Sequence, residues 1–315
     1  MSQVKISGFY DEVSSKLDDQ IALIKEFGEQ YLCPRVVDGK NIADYKAEEF
    51  ARDIKPRLDA AGIKFSSIGS PIGKIGLYDD AAYESQLAKL DELVKICELM
   101  GCKYIRMFSF RVKQGGDYNA YFPEVVKKLR GFLERVKGKD VVLLHENEKR
   151  IYGDTPERCL QLYTEINDPQ FKLAYDASNF IQCGVNAPKA YEMLKDYVVY
   201  YHIKDCSPEK VEVPIGLGLG GYEEMIRDLV VNRHYDGFMT LEPHTGKYAD
   251  HKVLFHIFGW FTWMLPYVGK WNKIFKRIDA AKNIAPMQKV TRKDIFTWQY
   301  KGLKDILDRV EKENA

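Results

Sequence analysis

The sequence predicts an α/β protein: a (β/α)8 TIM barrel with a C-terminal aromatic-rich insertion and a final helix. Extended runs rich in β-branched and aromatic residues alternate with segments in which apolar residues recur every three or four positions. Eight such units in 315 residues close a barrel more readily than they extend an open sheet. We therefore expect a single domain spanning residues 1–315.

The predicted strands are short apolar runs, each followed by turn residues. They cover residues 4–9, 30–36, 63–69, 104–110, 141–146, 171–176, 198–204 and 237–242. Helical patterns lie between them, at 18–28, 47–62, 81–101, 121–138, 155–168 and 222–237. Several of these end in Gly, as helix C-caps do. Thr155, followed by Pro156 and Glu157, predicts a helix N-terminus.

Residues 250–290 interrupt the alternation of strands and helices and are predicted to be an inserted aromatic and basic segment. A membrane-spanning helix is disfavoured because His256, Gly259 and Pro266 break the apolar run. A helix at a membrane surface and an inserted core helix are alternatives. Four aromatic residues cannot all face one core, which favours a subunit interface across residues 253–277. These residues are Phe258, Trp260, Phe261 and Trp263.

Bulk composition argues against nucleic-acid and membrane partners. The chain has 47 Lys and Arg against 46 Asp and Glu, a formal net charge of +1. Its six cysteines form no CxxC pair, which is typical of reduced thiols. The N-terminus lacks the apolar core of a signal peptide. We expect a cytoplasmic protein with a small-molecule substrate.

Four side chains that favour hard divalent cations follow four of the apolar runs: Glu146, Asp176, His202 and Glu242. A single carboxylate at a strand end is often a helix cap or an ion-pair partner, but four in consecutive units point to one site. The carboxyl ends of barrel strands meet at one rim, so the four groups should converge. Oxygen ligands with one imidazole suit Mn²⁺, Mg²⁺ or Co²⁺ better than a thiolate-bound zinc.

Other candidates surround this predicted metal site. Lys204 lies two residues after His202 on the same strand face and could hold a substrate oxygen. Arg35 and Arg106 fall within strand runs, where an unpaired guanidinium is costly, so each is a substrate-binding cation or a structural ion pair. Lys149, like Lys74, is a weaker candidate on a loop.

His145 is a candidate general base, because an unperturbed imidazole titrates near neutrality. Strand alternation opposes this role. If Glu146 faces the metal, its neighbour His145 should face the helices.

Five segments resemble the sugar phosphate isomerase/epimerase family of xylose-isomerase-like barrels: HENEKRIYGD, YDASNF, HIKD, LEPH and SPIGK. The resemblance implies one divalent ion, usually Mn²⁺, Co²⁺ or Mg²⁺, held by Glu146, Asp176, His202 and Glu242. It also implies that Glu146 and Glu242 remove and return a proton on opposite faces of the substrate. Asn179 stands where these epimerases often carry a substrate-binding His.

The GLGLGG run at 216–221 does not predict a dinucleotide site, because it follows a proline-containing loop rather than a first strand. The resembling family commonly has acidic residues where this chain has Leu217 and Leu219. The two leucines suggest an apolar group near the site, either an aromatic aglycone or a partner protein.

Two reactions fit this pattern. The leading hypothesis is the α subunit of a C-glycoside deglycosidase, a lyase that cleaves the carbon–carbon bond of a 3-oxo-C-glucoside and works with a small partner subunit. The alternative is a ketose 3-epimerase or aldose-ketose isomerase, in which the insertion mediates homo-oligomerisation. Both begin by abstracting a proton beside a carbonyl. A non-enzymatic scaffold with a structural metal is a third class, which the cations around the rim argue against.

Overall fold

The computed structural model describes residues 4–258 and 266–314 of the chain. Each of the eight predicted runs contains a strand. These are β1 Lys5–Gly8, β2 Tyr31–Leu32, β3 Lys64–Phe65, β4 Tyr104–Met107, β5 Val142–Glu146, β6 Phe171–Asp176, β7 Val198–Ile203 and β8 Phe238–Leu241.

The eight strands close into a parallel barrel. Six of them form one sheet in the order β1-β8-β7-β6-β5-β4, and β2 pairs in parallel with β3. Backbone hydrogen bonds join these parts on both sides: the Cys33 amide donates to Gly8 O at 3.1 Å, the Ile68 amide donates to Tyr104 O at 2.8 Å, and the Arg106 amide donates to Ile68 O at 2.9 Å. The predicted fold class is therefore confirmed.

Helices follow the strands around the barrel. They are α1 Leu17–Glu26, α2 Ala47–Asp53, α3 Lys55–Ala61, α4 Asp80–Met100, α5 Tyr118–Val136, α6 Pro156–Ile166, α7 Ala177–Gln182, α8 Ala187–Leu194 and α9 Tyr222–Arg227. Thr155 caps α6 as predicted, because its side chain accepts a hydrogen bond from the Arg158 amide.

Two predicted helices differ from the structure. The pattern at 47–62 forms two helices, since Pro56 stands in the first turn of α3 and has no amide hydrogen to continue α2. The pattern at 222–237 ends early: α9 passes into a π-helical turn over Asp228–Asn232. The short helices α7 and α8 were not predicted, because neither is long enough to show a clear helical period in the sequence.

Side-chain alternation sorts the strands' residues into two apolar layers. Val142, Leu144, Ala174 and Tyr200 form a separate cluster inside the barrel, whereas Leu143 and Tyr175 belong to the larger core beneath the helices. Successive strand residues point to opposite faces. The inward series on β5 therefore runs 142, 144, 146, and that on β6 ends at 176.

The C-terminal part contains α10 Gly246–Phe258, α11 Pro266–Lys282 and α12 Arg292–Glu313. A second apolar cluster, which includes Tyr248 and Phe275, packs α10 on α11, and the buried Asp279 carboxylate binds Lys252 at 2.9 Å. Trp260, Phe261, Trp263 and the Phe258 side chain lie outside the described residues. In the described part of the chain, no helix has the length and apolarity needed to cross a membrane.

Candidate metal centre

The four predicted metal ligands converge at the carboxyl ends of consecutive strands. Glu146 and Asp176 are the last residues of β5 and β6, His202 is the fifth residue of β7, and Glu242 directly follows β8. All four are buried. One donor atom from each lies within 4.8 Å of every other. They meet because all four belong to the inward-facing series of neighbouring strands.

His202 is the centre of this group. Its Nδ1 lies 3.0 Å from Glu146 Oε1 and 3.4 Å from Glu242 Oε2. The ring packs edge-on against Phe9 and Tyr200, with centroid distances of 5.3 and 5.7 Å. These aromatic contacts fix the orientation of the imidazole between the two glutamates.

The donor set fits a divalent cation. Donors about 2.0–2.6 Å from one ion lie no more than about 5 Å apart, which is the spacing of these atoms. One buried oxygen of each carboxylate has cationic neighbours but accepts no well-oriented hydrogen bond from the described residues. These atoms are Glu146 Oε2, Asp176 Oδ2 and Glu242 Oε2. These three oxygens are therefore available to coordinate a cation.

The carboxylate pKa values respond to this crowding in different ways. Burial alone would raise the pKa of Glu146, but its interactions with His202 and Arg106 outweigh burial and bring the pKa to about 2. For Asp176 burial prevails over the attraction of Lys204, and the neighbouring Glu146 adds to it, so the pKa rises to about 7. Asp176 is therefore the carboxylate that holds a proton most readily when no cation is present.

Two cations predicted to lie at the site are buried within it. Lys204 Nζ lies 2.8 Å from Asp176 Oδ2 and 3.5 Å from Glu242 Oε2. Burial alone would lower the pKa of Lys204, but the charges of Asp176 and Glu242 raise it well above its ordinary value. Arg106 Nη1 lies 3.2 Å from Glu146 Oε2, and its other nitrogens donate to the Gly69 and Ser70 carbonyls.

Arg35 connects the candidate metal ligands to residues that the sequence did not single out. It donates to Asp11 Oδ2 at 2.8 Å and lies 3.4 Å from Glu242 Oε1. His244 Nε2 lies 3.1 Å from Glu242 Oε1 and 3.3 Å from Glu12 Oε1. The signal was present, since Asp11 and Glu12 follow β1 and His244 ends the LEPH motif two residues after Glu242, but only closure of the barrel brings Glu12 to His244.

Two asparagines hold the strand ends together. Asn179 Nδ2 donates to Glu146 Oε1 at 3.2 Å and to Asn147 O at 3.0 Å. Asn147 in turn bonds both the amide and the carbonyl of Asp176, each at 2.9 Å. Asn179 thus contacts a predicted metal ligand, and Asn147 is a positioning residue that sequence reasoning missed.

His145 does not join the converging group. Its ring packs against Phe171 at 5.9 Å, beneath Gly153, where a Cβ would overlap the imidazole. Neither ring nitrogen has a hydrogen-bond partner among the described residues. Burial lowers the pKa of His145 to about 4. Because Glu146 faces the barrel interior, alternation along β5 turns the adjacent His145 toward the helices, as the sequence predicted.

An open cavity of about 680 Å³ reaches the candidate ligands through Arg35 and His244, which contact Glu242; none of the four candidates lines the cavity itself. Arg35 and His244 line it beside Glu242, and Lys149 lines its rim. The start of α10 and the residues Lys270 and Trp271 of α11 form another wall. The predicted insertion therefore shapes the mouth of the barrel. Lys74, the other weak loop candidate, pairs with Glu148 at 2.8 Å.

The glycine-rich loop after β7 is organised around Asp205. This carboxylate accepts hydrogen bonds from the amides of Gly216, Gly218 and Gly220, each at 2.9 Å. A Cβ at Gly218 would overlap the carboxylate. The glycines are thus needed for a close backbone approach. The following Tyr222 hydroxyl bonds both the amide and the carbonyl of Lys204, at 2.9 and 2.8 Å.

Comparison with known proteins assigns the family. Residues 21–261 match the model described as Xylose isomerase-like TIM barrel. The chain therefore belongs to this family, which confirms the resemblance seen in the sequence. A 3-dehydroshikimate dehydratase of Bacillus anthracis is 24% identical over an alignment of 198 residues, and the match covers 55% of this chain and 69% of that protein.

Solved structures agree with the fold. A xylose isomerase-like TIM barrel protein from Mycobacterium smegmatis, in complex with magnesium, has a TM-score of 0.63 at 14% identity and covers 96% of this chain and 99% of its own. The 3-keto-D-glucoside 4-epimerase of E. coli has a TM-score of 0.59 at 16% identity, over 77% of this chain and 92% of its own. At these identities the likeness concerns the fold alone.

Proposed function

We propose that this protein is a divalent-metal-dependent enzyme that removes a proton from a sugar carbon beside a carbonyl. The observation that carries the proposal is the convergence of Glu146, Asp176, His202 and Glu242 within 4.8 Å of one another, with Lys204 and Arg106 beside them. A purely structural metal site needs no such additional cations. Mn²⁺ is the preferred ion in this proposal, with Co²⁺ and Mg²⁺ as alternatives.

Proton transfer is assigned to Glu146 and Glu242. When bound, the ion would act as a Lewis acid on a substrate carbonyl and its neighbouring hydroxyl. The two glutamates flank His202, and both have lowered pKa values because neighbouring cations outweigh the effect of burial. Both are ionised at neutral pH and can accept a proton. Lys204 stays protonated and can stabilise negative charge that develops on a substrate oxygen.

Substrate orientation is assigned to Arg35, Arg106, Asn179 and Lys149. Arg35 and Lys149 line the cavity, so both are open to a ligand. Arg106 and Asn179 are buried and contact Glu146, where they would fix this carboxylate and reach substrate groups next to it.

The leading reaction is that of a C-glycoside deglycosidase α subunit. A glutamate would take the proton from C2 of a 3-oxo-C-glucoside, the bond from C1 to the aryl carbon would break, and the aryl carbon would take up a proton. The match to a dehydratase supports this order, because dehydration beside a ketone also removes a proton and then expels a group from the next carbon. Leu219, half exposed on the glycine loop, offers apolar surface to an aglycone or a partner protein in this proposal.

The alternative is a ketose 3-epimerase or an aldose-ketose (sugar phosphate) isomerase. It needs the same proton abstraction but returns the proton without breaking a carbon–carbon bond. The fold shared with a 3-keto-D-glucoside 4-epimerase is compatible with this reaction. The two glutamates on either side of His202 would then serve opposite faces of the substrate.

We further propose that residues 253–277 contact another subunit, either a small partner or a second copy of the chain. Leu254 and Ile257 lie three residues apart on α10 and expose 52% and 47% of their surface. Residues at this spacing share one helix face, so the two side chains form one apolar patch. Size-exclusion chromatography of L254E/I257E should show a smaller assembly. An unchanged elution volume would remove this face from the interface.

All six cysteines are free thiols, and five of them are buried. This state suits a reducing compartment, so we place the enzyme in the cytoplasm, acting as a single domain over residues 1–315.

The reaction can be identified by incubating metal-loaded protein in D₂O with a 3-oxo-C-glucoside and, separately, with a panel of free ketoses. Release of the aglycone, with deuterium at the aryl carbon, would establish the lyase. Deuterium uptake into a ketose without bond cleavage would establish the epimerase or isomerase. If none of these substrates took up deuterium from the solvent, the proposed proton abstraction would be refuted.

His145 remains the alternative base, and a single variant tests it. His145→Ala should keep its metal, because the ring contacts none of the four ligands' donor atoms. Full turnover in that variant would exclude a base role. A loss of turnover with metal affinity and stability unchanged would transfer that role from a glutamate to His145.

A further inference from the structure

The barrel mouth carries more positive than negative side chains. Among the described residues, six Lys or Arg and four Asp or Glu line the cavity. Most of the carboxylates already have cationic neighbours: Asp250 pairs with Arg292 at 2.6 Å, and Asp11 pairs with Arg35 at 2.8 Å. The surplus charge therefore belongs to lysines on the rim.

Two of these lysines are held together by one neutral residue. Lys149 Nζ donates to the side-chain oxygen of Gln182, and Lys210 Nζ donates to its main-chain oxygen at 3.1 Å. Within the described ranges neither ammonium forms an ion pair with a carboxylate, whereas the nearby Lys74 pairs with Glu148. The Gln182 amide is fixed in turn, because its Nε2 donates to Glu212 Oε1 at 2.5 Å.

The backbone at Lys210 supports a role for its side chain. This residue has a φ of +61° in the turn between the short paired strands Asp205–Cys206 and Glu212–Val213. Glycine or asparagine adopts this left-handed conformation more easily than lysine does. Strained residues of this kind cluster at functional sites. Here the turn directs an ammonium toward Gln182 at the cavity rim.

We infer that Lys149 and Lys210 form an anion subsite that holds a carboxylate or phosphate group of the substrate. This inference rests on the proposed function and adds a substrate class to it: the sugar-like end would lie at the metal ligands, and the anionic group would lie at the rim. Gln182 sets the spacing of the two ammonium groups, which donate to the same anion as point charges.

The test is the binding of small anions to Mg²⁺-loaded protein. Inorganic phosphate and acetate are titrated by calorimetry into wild type, into the double variant K149M/K210M and into the control K127M. Lys127 is an exposed lysine on α5, where it pairs with Glu124 and lies on the outside of the barrel. We expect the affinity of the double variant for the preferred anion to be lower than that of wild type by at least about tenfold. The control should match wild type.

The two anions distinguish the two ligand groups. Tighter binding of phosphate assigns a phosphorylated substrate, and tighter binding of acetate assigns a carboxylate. The subsite would be overturned if wild type and the double variant bound each anion with the same affinity, or if wild type bound neither anion. Mn²⁺ affinity, measured on the same proteins, separates this outcome from failure of the metal site: it should be unchanged in the double variant, and its absence in wild type would refute the proposed function instead.

Discussion

The two halves of the barrel contribute to the site in different ways. Strands β5, β6 and β7 contain five or six residues and β8 contains four, and each ends at or beside a metal-ligand candidate. Strands β2 and β3 contain only two residues each, and the loops of that half supply Arg35, Asp11 and Glu12. Regular strands thus position the proposed ligands and also carry Arg106, whereas irregular segments of the other half supply Arg35, Asp11 and Glu12.

This difference predicts how mutations in each half should act. A change on the long strands should remove the ion, and a change on the short-strand half should alter how the site works while leaving the ion in place.

The largest effect is expected for Asp176→Asn. The substitution keeps the shape of a buried side chain but removes one of three ligand charges. We expect Mn²⁺ affinity to fall by at least about 100-fold, since loss of outer-shell partners alone costs 10–100-fold. Calorimetric titration would measure this loss. Asp140→Asn, at a carboxylate whose side chain is 90% exposed, is the matched control. Wild-type affinity in D176N would show that Asp176 is not a ligand.

A smaller effect on the metal is expected for Arg35→Met. The guanidinium touches Glu242 but is not a donor to the ion, so we expect Mn²⁺ affinity to change by about tenfold or less. Turnover should fall further than affinity, because Arg35 also faces the cavity. Parallel losses of metal and turnover, as large as those in D176N, would erase the proposed distinction between the two halves.

The same contrast explains what the sequence could predict. Glu146, Asp176, His202 and Glu242 could be found because each follows an apolar run, and the period of two places them on one face. Lys204 was found by the same period of two, and Arg106 because an unpaired guanidinium within a strand run is costly. Glu12 was not assigned because its contact with His244 depends on barrel closure between segments more than 200 residues apart. Asp11 reaches the site only through Arg35, and His244, two residues after Glu242, was quoted within the LEPH motif without being given a role.

Two further features depended on contacts that no local pattern encodes. The sequence did not indicate what the glycines of the GLGLGG run serve, because their partner, the Asp205 carboxylate, is set by the path of the loop. Similarly, Lys149 and Lys210 are 61 positions apart, and only the placement of α7 brings both to Gln182.

Metal binding should depend on pH through Asp176. The pKa of this carboxyl is about 7 in the metal-free protein, because burial outweighs the nearby Lys204. An ion must displace this proton, so Mn²⁺ affinity should rise by about tenfold per pH unit between pH 5 and 7 and level off above that range. Calorimetry in buffers of different ionisation enthalpy would count the proton released. An affinity independent of pH would contradict this assignment.

Stability of the metal-free protein should show the opposite trend. Folding raises the pKa of Asp176 above its ordinary 3.8, so the folded state binds more protons than the unfolded state between about pH 4 and pH 7. The contribution of this group to the free energy of unfolding therefore decreases as pH rises through that range. Metal-free D176N should lack this contribution, and an identical pH slope in both proteins would exclude Asp176 as its source.

The smallest effect should come from the glycine loop. Gly218→Ala would place a Cβ against Asp205, and we expect a loss of about 1–3 kcal/mol in the free energy of unfolding. Gly76→Ala is the control, because its Cβ would make only an ordinary 3.7 Å contact with Asp79. Thermal or urea unfolding would measure both. Equal stability of the two variants would show that the loop accommodates a side chain at Gly218.

Solvent deuterium exchange tests the proposed metal-assisted proton abstraction most directly. Wild type and D176N would be incubated in D₂O with a 3-oxo-C-glucoside, each with Mn²⁺ and after removal of metal by a chelator, and deuterium would be followed by NMR. We predict incorporation at the carbon beside the carbonyl, or transfer to the released aryl carbon, only in metal-loaded wild type. Exchange at an undiminished rate in the chelated wild type would contradict the account.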